Sequence, residues 1–298
     1  MRKRNWQQYN RQLIQRGSLT FLIDPKIFKS LKLRPEKKHF GRPMEFPDSL
    51  ILILLMIKIH YKLPYRMLEG FAKTFLLKMY PWLKIPTYSL ICKRARQLGQ
   101  VLPKLSHCRP HTILLDASGL KVVGEGEWKV KIHGRGRPRK WMKIHIAVDA
   151  KSQEIVAQVL TESHCDDGSM TDLLMHKSGK RVKTVIADGA YDRAKARRAV
   201  QKRNAIDLIP PPRNAKFRND GSERDKALTL ITGLGGDKQA RSIWGKLVGY
   251  SKRSLVETAF SRLKRRYGDR MYSQTFERQV VETYVKCYIL NRMNQIKI

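Results

Sequence analysis

The sequence predicts an α/β protein in which a small all-α domain precedes a layered domain built on a mixed five-stranded sheet. Three observations lead there. Apolar residues return at helical spacing from 47 to about 100, the spacing becomes alternate after Pro110, and the segments that follow run in the order β-β-β-α-β-α-β-α.

Residues 1–44 are basic and poorly periodic and read as an arm carrying one short helix. Next come SLILILLMIKIHY, YRMLEGFAKTFLLKMY and TYSLICKRARQLGQVL, separated by Pro64, Pro81 and Pro86; prolines end helices, so this is a three-helix unit. In the third helix Leu90, Ile91, Ala95 and Leu98 share one side, while Tyr88, Lys93, Arg94 and Arg96 mostly face away. Two readings fit that pattern. One is the recognition helix of a helix-turn-helix, with Lys93, Arg94 and Arg96 turned to DNA; the other is a helix that packs on the next domain and leaves a basic face in water.

TILLDASGLKVV (112–123), WMKIHIAVDA (141–150) and EIVAQVLTES (154–163) read as three antiparallel strands. A helix at 168–177, a strand at 182–187, a helix at 191–203, the short strand IDLI and closing helices follow, with a Pro- and Gly-rich stretch at 210–236. The chain thus divides into a basic arm (1–44), a helical domain of helix-turn-helix type expected to bind DNA (45–105), and an α/β domain (110–298) with a loop-rich insertion at 210–245. The segment HGRGRPRKW (133–141) joins the first two strands. Its Arg135 and Arg137 lie in an Arg-Gly-Arg-Pro core similar to the AT-hook, and read either as groove and phosphate contacts or as a solvated basic loop.

The charge narrows the partner class. Sixty-one Lys and Arg against 25 Asp and Glu leave a formal charge of +36. Such a chain repels itself unless its partner is a polyanion, whose neutralised phosphates release counterions. Nucleic acid is the expected partner. The rival, a membrane, needs a span, and the best apolar run, LILILLMI, stops at Lys58 after eight residues. The N-terminus lacks a signal peptide's apolar stretch, so a cytoplasmic, nucleoid-associated location is expected. Four dispersed cysteines without a CxxC pair fit reduced thiols. In SHCRPH, His107, Cys108 and His111 lack a second ligand pair at zinc spacing and read as a polar interdomain linker.

Acids are scarce, so their placement is informative. Asp116 follows the apolar TILL inside the first strand, and Asp188 ends VKTVIA and opens the turn DGAYD. Glu257 is a single carboxylate in YSKRSLVETAFSRLKRRYG, where an ion pair with Arg253 is the simplest reading. Projected as a helix from Tyr250, Arg253, Glu257 and Lys264 fall at about 300°, 340° and 320°, while the apolar residues occupy about 140° to 280°. The polar stripe borders the buried face, which suits a carboxylate at the rim of a sheet facing Asp116 and Asp188, with Arg253 and Lys264 reaching phosphates. Like charges at 4 Å repel by about 4 kcal/mol at an effective dielectric of 20, so three gathered carboxylates need a cation between them. Oxygen-only ligands favour Mg²⁺ or Mn²⁺, and two such ions about 4 Å apart support in-line displacement at a phosphodiester. Asp166, Asp167 and Asp172 surround a helix start and read as caps. Trp244 reads either as a core residue or as a platform for an unpaired base.

At these residues the chain resembles a bacterial insertion-sequence transposase of the DDE class, specifically the IS5-like family. Tyr250, Arg253, Glu257 and Lys264 match that family's Tyr, Arg, Glu, Lys spacing; LLDASGLKVVGEGEWKV and VIADGAYD resemble its two aspartate segments. GRPMEF, LPYRMLEGF and IPTYSLICKRAR look like its N-terminal region, so the likeness covers about 40–270. The resemblance implies a retroviral-integrase or RNase H-like catalytic domain with Asp116, Asp188 and Glu257 as the metal-binding triad. It also implies an enzyme that binds terminal inverted repeats, hydrolyses DNA at the element ends and joins the 3′-hydroxyls to target DNA. A homodimer is expected in the synaptic complex, with no membrane and no small-molecule cofactor. Two other readings stay open: a non-catalytic helix-turn-helix DNA-binding protein, and an RNase H-like nuclease without strand transfer.

Overall fold

The computed structural model describes residues 5–18, 45–123 and 140–296. These form two compact units, Met1–Pro103 with Ser273–Ile298, and Lys104–Tyr272.

In the first unit α1 (Trp6–Arg16) begins where the Asn5 side chain accepts from Gln8 N at 3.1 Å. The eight-residue apolar run forms the middle of α2 (Asp48–His60), and every residue from Leu50 to Ile57 is buried. A helix apolar on all sides has to be surrounded. Here α3 (Tyr65–Met79), α4 (Tyr88–Gln97) and α10 (Phe276–Gln295) pack on it. The expected division ran the α/β domain to residue 298. The last helix differs from it, because its apolar face, Val281, Tyr284, Val285 and Ile289, is buried in the first unit, where the Tyr284 hydroxyl donates to the Pro103 carbonyl at 2.7 Å. No helix among the described residues is long and apolar enough to cross a membrane.

The second unit is built on a mixed sheet. β1 (Thr112–Val122), β2 (Trp141–Asp149) and β3 (Ile155–Glu162) run antiparallel; β4 (Thr184–Ile186) joins β1 in parallel and β5 (Ile206–Leu208) joins β4 in parallel. The order is β3-β2-β1-β4-β5, and a two-residue β6 (Arg270–Met271) pairs beyond β4's reach with the far end of β1. This mixed sheet is the layered α/β domain that the element order predicts. Between the strands lie α5 (Thr171–Ser178) and α6 (Ala194–Gln201). One apolar core gathers Ile113 and Leu115 of β1, Val185 of β4, Leu174 and Met175 of α5, and Val200 of α6.

The 210–245 stretch needs correction. Rather than a loop-rich insertion it contains α7 (Glu223–Gly233) and α8 (Lys238–Leu247). The Ser222 side chain caps α7 by accepting from Asp225 N at 3.4 Å, and Asp237 caps α8 by accepting from Ala240 N at 2.7 Å. Ala227, Ile231, Ala240 and Trp244 form a small core of their own, too short in sequence for the glycines and prolines on either side to leave a clear period. α9 (Ser254–Tyr267) follows.

Candidate active site

β1 and β4 set the first two carboxylates. Their parallel register ends at Leu114↔Ile186; continued by two residues it brings Asp116 level with Asp188. Side chains alternate along a strand, and Ile113, Leu115, Val185 and Ala187 face the core beneath α5 and α6. Asp116 and Asp188 therefore share the opposite face, on which α9 packs against β1 and β2. Asp188 lies in extended backbone just past β4 and caps the next turn, its Oδ1 accepting from Ala190 N at 3.0 Å. Asp116 accepts from Ala117 N at 2.8 Å.

The third carboxylate comes from α9. Val256, Ala259, Phe260 and Leu263 bury one side of that helix, and Glu257 in its first turn stands at the exposed edge. Gly249, at φ 72°, turns the chain from α8 into a 3-10 turn over Tyr250–Arg253, so the α-helix begins four residues later than the projection assumed. Arg253 stands at the N-cap position without a side-chain capping bond, and its Nη2 forms an ion pair with Glu257 Oε1. The simple reading of Glu257 is thus realised, and the triad reading rests on how the pair relates to Asp116.

That relation is electrostatic. Burial raises the Asp116 pKa to about 6, the Ala117 amide opposes the rise, and the charges of Asp188 and Glu257 add to it while Arg253 offsets them. Burial opposes the charge on Arg253, yet Tyr250, Glu257 and Asp116 outweigh it and hold its pKa above the ordinary value. Tyr250 is pushed up to about 12, first by burial, within the fields of Arg253, Asp188, Glu257 and Asp116. Asp116, Asp188, Glu257, Arg253 and Tyr250 thus occupy one electrostatic neighbourhood. Lys264 follows Glu257 by about two helical turns and is half-buried, with no ion pair to an acid among the described residues.

Two supporting groups were not foreseen. Asp192, the second acid of DGAYD, is buried between two arginines: Arg197 Nε at 2.7 Å and Arg224 Nε at 3.2 Å. Arg197 also pairs with Asp207 of β5 and donates to the Ile209 carbonyl at 3.0 Å, and Arg224 donates to the Lys216 carbonyl at 2.8 Å. The network ties the Asp188 turn to α6, β5 and α7. The only sequence signal was an acid four residues after Asp188. The second group is Tyr191, fully buried with a hydroxyl that has no hydrogen-bond partner among the described residues, its pKa raised by burial and then by Asp167, Asp116 and Asp188.

The other sequence candidates fall in different places. Arg94 is not a free basic contact: its guanidinium is held by Asp48 Oδ1 at 2.5 Å and the Phe46 carbonyl at 3.0 Å, within the first unit. Lys93 and Arg96 are exposed, Arg96 with Glu277 at 3.5 Å. Arg135 and Arg137 lie outside the described residues. Trp244 is 3 % exposed and packs on Tyr250 with ring centroids 5.6 Å apart, so it is a core residue and not a base platform. Asp166 does cap, accepting from Ser169 N at 3.0 Å, but Asp167 pairs with Lys143 at 3.0 Å and Asp172 with Arg203 at 3.6 Å.

For a metal the donor chemistry is suitable: three carboxylates, one of them costly to ionise where it stands, present oxygen ligands to a hard cation. Among the described residues, however, no three His, Cys, Asp or Glu side chains are drawn together as a closed ligand set. Glu257 is engaged by Arg253 through Oε1, which leaves its second carboxylate oxygen able to serve as a ligand.

The family model described as "Transposase DDE domain" matches residues 107–292, and a second model with the same description matches 14–125. An uncharacterised protein of Aquifex aeolicus (strain VF5), aq_aa40, is 22% identical, covering 96% of this chain and 86% of its own. Among solved structures, a pre-cleavage Mos1 transpososome is similar at 12% identity, with 84% of this chain and 86% of that one covered and a TM-score of 0.23. A Mos1 paired-end complex with the left transposon end gives 12%, the same coverage and 0.24. The match over 107–292 takes in more than half of the 298 residues, and the chain belongs to the transposase DDE domain family.

Proposed function

We propose that this protein is an insertion-sequence transposase of the IS5-like group that binds the terminal inverted repeats of its element, cuts DNA at the element ends and joins the freed 3′-hydroxyls to target DNA. The observation that carries the reading is the electrostatic interaction of Asp116 with Asp188, Glu257 and Arg253 on the sheet face covered by α9. Asp116, Asp188 and Glu257 would hold two divalent cations, Mg²⁺ or Mn²⁺, whose chemistry is to activate a water or 3′-hydroxyl and stabilise the departing phosphodiester oxygen.

The chain's own residues have distinct tasks. Burial makes Asp116 expensive to ionise, so a cation at its carboxylate relieves a cost built into the fold. Arg253 offers five N–H donors, enough to neutralise Glu257 and still meet a phosphate. Tyr250, its pKa pushed up to about 12, stays protonated at neutral pH, and its hydroxyl donates to a phosphate oxygen instead of repelling it. Lys264 supplies a further positive charge on the same helix. The formal charge of +36 supports a DNA partner. Two element ends handled together call for a homodimer on DNA.

The test is a set of single substitutions, Asp116→Asn, Asp188→Asn and Glu257→Gln, assayed for Mg²⁺-dependent cleavage of terminal-repeat DNA. Each should abolish cleavage while DNA binding persists; cleavage at the parent rate in any of them defeats the triad assignment. Pre-cleaved 3′-hydroxyl ends incubated with a supercoiled target should give joined product, and cleavage without joining would make the protein a nuclease.

A further inference from the structure

The second unit carries a cationic cavity at the end of the sheet opposite the carboxylates. It has a volume of about 320 Å³ and is lined by Lys104, Ser106, Arg109, Lys177, Lys180 and Arg181. These residues come from two segments, one leading into β1 and the other into β4. The His111 carbonyl joins the segments by accepting from Lys183 N at 2.8 Å and Thr184 N at 3.0 Å. From Thr112 to Asp116 β1 advances about 13 Å at ~3.3 Å per residue, so the cavity and the carboxylates are separate sites.

Its walls are fixed. Ser106 Oγ donates to Glu154 Oε2 at 2.5 Å and accepts from Cys108 N at 2.9 Å, which pins the first segment to the chain just before β3. The second segment leaves α5 through Gly179, whose φ of 101° suits glycine. A cation at a helix C-terminus is expected from the helix dipole, and that accounts for Lys177. It does not account for Lys104 and Arg109 arriving from another segment. Among the described residues none of Lys104, Arg109, Lys180 or Arg181 has a carboxylate partner. Like charges about 8 Å apart repel by about 2 kcal/mol at an effective dielectric of 20, so a concave group of five Lys and Arg side chains, with only the Glu154 carboxylate bound to Ser106 at its wall among the described acids, is costly unless a further anion enters.

We infer that this cavity is a second phosphate-binding site, which holds the backbone of duplex DNA at the end of the sheet remote from Asp116 and Asp188. The site rests on the reading of the chain as an enzyme acting on DNA, and it adds a contact that the catalytic face does not supply. Its volume is about ten times a water molecule's share of liquid, room for a phosphate group with part of its hydration. Partial removal from water lowers the pKa of Lys177, and an oxyanion beside it would favour its charged form.

The full chain and a Lys180→Ala/Arg181→Ala variant are compared for binding to a random-sequence duplex over a salt series. Removing one phosphate interaction should flatten the slope of log K against log salt by about 0.9, so the variant should be shallower by about 1 to 2. A parallel thermal melt separates this from misfolding, and Arg181→Lys should recover most of the slope. An unchanged slope in a folded variant overturns the proposal. Titration with pyrophosphate alone gives the second arm: tight pyrophosphate binding with an unchanged DNA slope would make this a site for a free anion and also overturn it. Neither readout depends on cleavage, so a failed triad test and a failed cavity test are told apart.

Discussion

Arg253 faces two acids at once: it pairs with Glu257 one helical turn ahead and lies in the field of Asp116 on the central strand. Burial raises the Asp116 pKa most, and among the charges Arg253 offsets the rise that Asp188 and Glu257 add. Arg253→Ala should therefore move the acid limb of the pH–rate profile for DNA cleavage toward higher pH and cut the rate by about 10²-fold, the usual effect of losing one preorganised donor. The pair is half open to water, so thermal stability should change by no more than about 0.5 kcal/mol. Arg253→Lys should recover the pH position but not the full rate, because a lysine lacks the planar fork. A profile that stays in place in Arg253→Ala would separate this arginine from Asp116.

Asp116 costs the fold stability. Its pKa in the folded chain, about 6, lies above the ordinary carboxylate value, so the folded state binds the proton more tightly than the unfolded state. The resulting stability is fully present below about pH 4 and is lost as pH rises through about 6. Asp116→Asn should remove the penalty and stabilise the protein at pH 7 by about 1 to 2 kcal/mol after allowance for solvent screening. Urea denaturation at pH 4 and pH 7 measures this: the gain should appear at pH 7 and shrink at pH 4. Added Mg²⁺ should raise the melting temperature of the parent more than that of the variant.

Asp192 should matter to stability more than its exposed neighbours. It is about 5 % exposed and neutralises Arg197 and Arg224, both buried. Asp192→Ala removes one carboxylate from Arg197 and from Arg224, which keep Asp207 and Asp225, a loss of about 1.5 to 3 kcal/mol. Chemical denaturation should show it, and limited proteolysis should cut first near 216–225, where Arg224 holds the chain. A loss below about 1 kcal/mol would mean that water takes over the pairing.

The order of elements along the chain and the placement of Asp116 and Asp188 at strand positions were legible because they obey local rules. TILL and TVI are short apolar runs, and an acid at the end of such a run has no packing reason to be there. Glu257 was legible by contrast with its cationic neighbours, and its pair with Arg253 follows from their i, i+4 spacing, though the turn over Tyr250–Arg253 shifted the helix start. The buried Asp192 network was not legible, since charge pairing between residues tens of positions apart leaves no period. α7 was hidden by Pro210, Pro211, Pro212 and the glycines around it, although Ser222, Glu223 and Asp225 are the residues that start a helix. Arg94 misled because periodicity tells only that a residue leaves the apolar face, and here a carboxylate and a carbonyl wait for it at the helix edge.

Arg94 and Lys93 are adjacent in sequence and should separate completely in experiment. Arg94 is held by Asp48 and the Phe46 carbonyl, with 13 % of its side chain exposed, whereas Lys93 is exposed beside a cavity of about 570 Å³ that Arg66, Arg96 and Arg278 also line. Arg94→Ala removes charge-assisted hydrogen bonds and should lower stability by about 1.5 to 3 kcal/mol, with the salt dependence of DNA binding unchanged at temperatures where it stays folded. Lys93→Ala should leave the melting temperature where it was and flatten the salt slope by about 0.9, the equivalent of one phosphate. Measured side by side, the two variants decide what the basic face of α4 does. If Arg94→Ala flattens the slope and Lys93→Ala does not, the guanidinium leaves Asp48 for DNA, and the assignment of the two side chains is reversed.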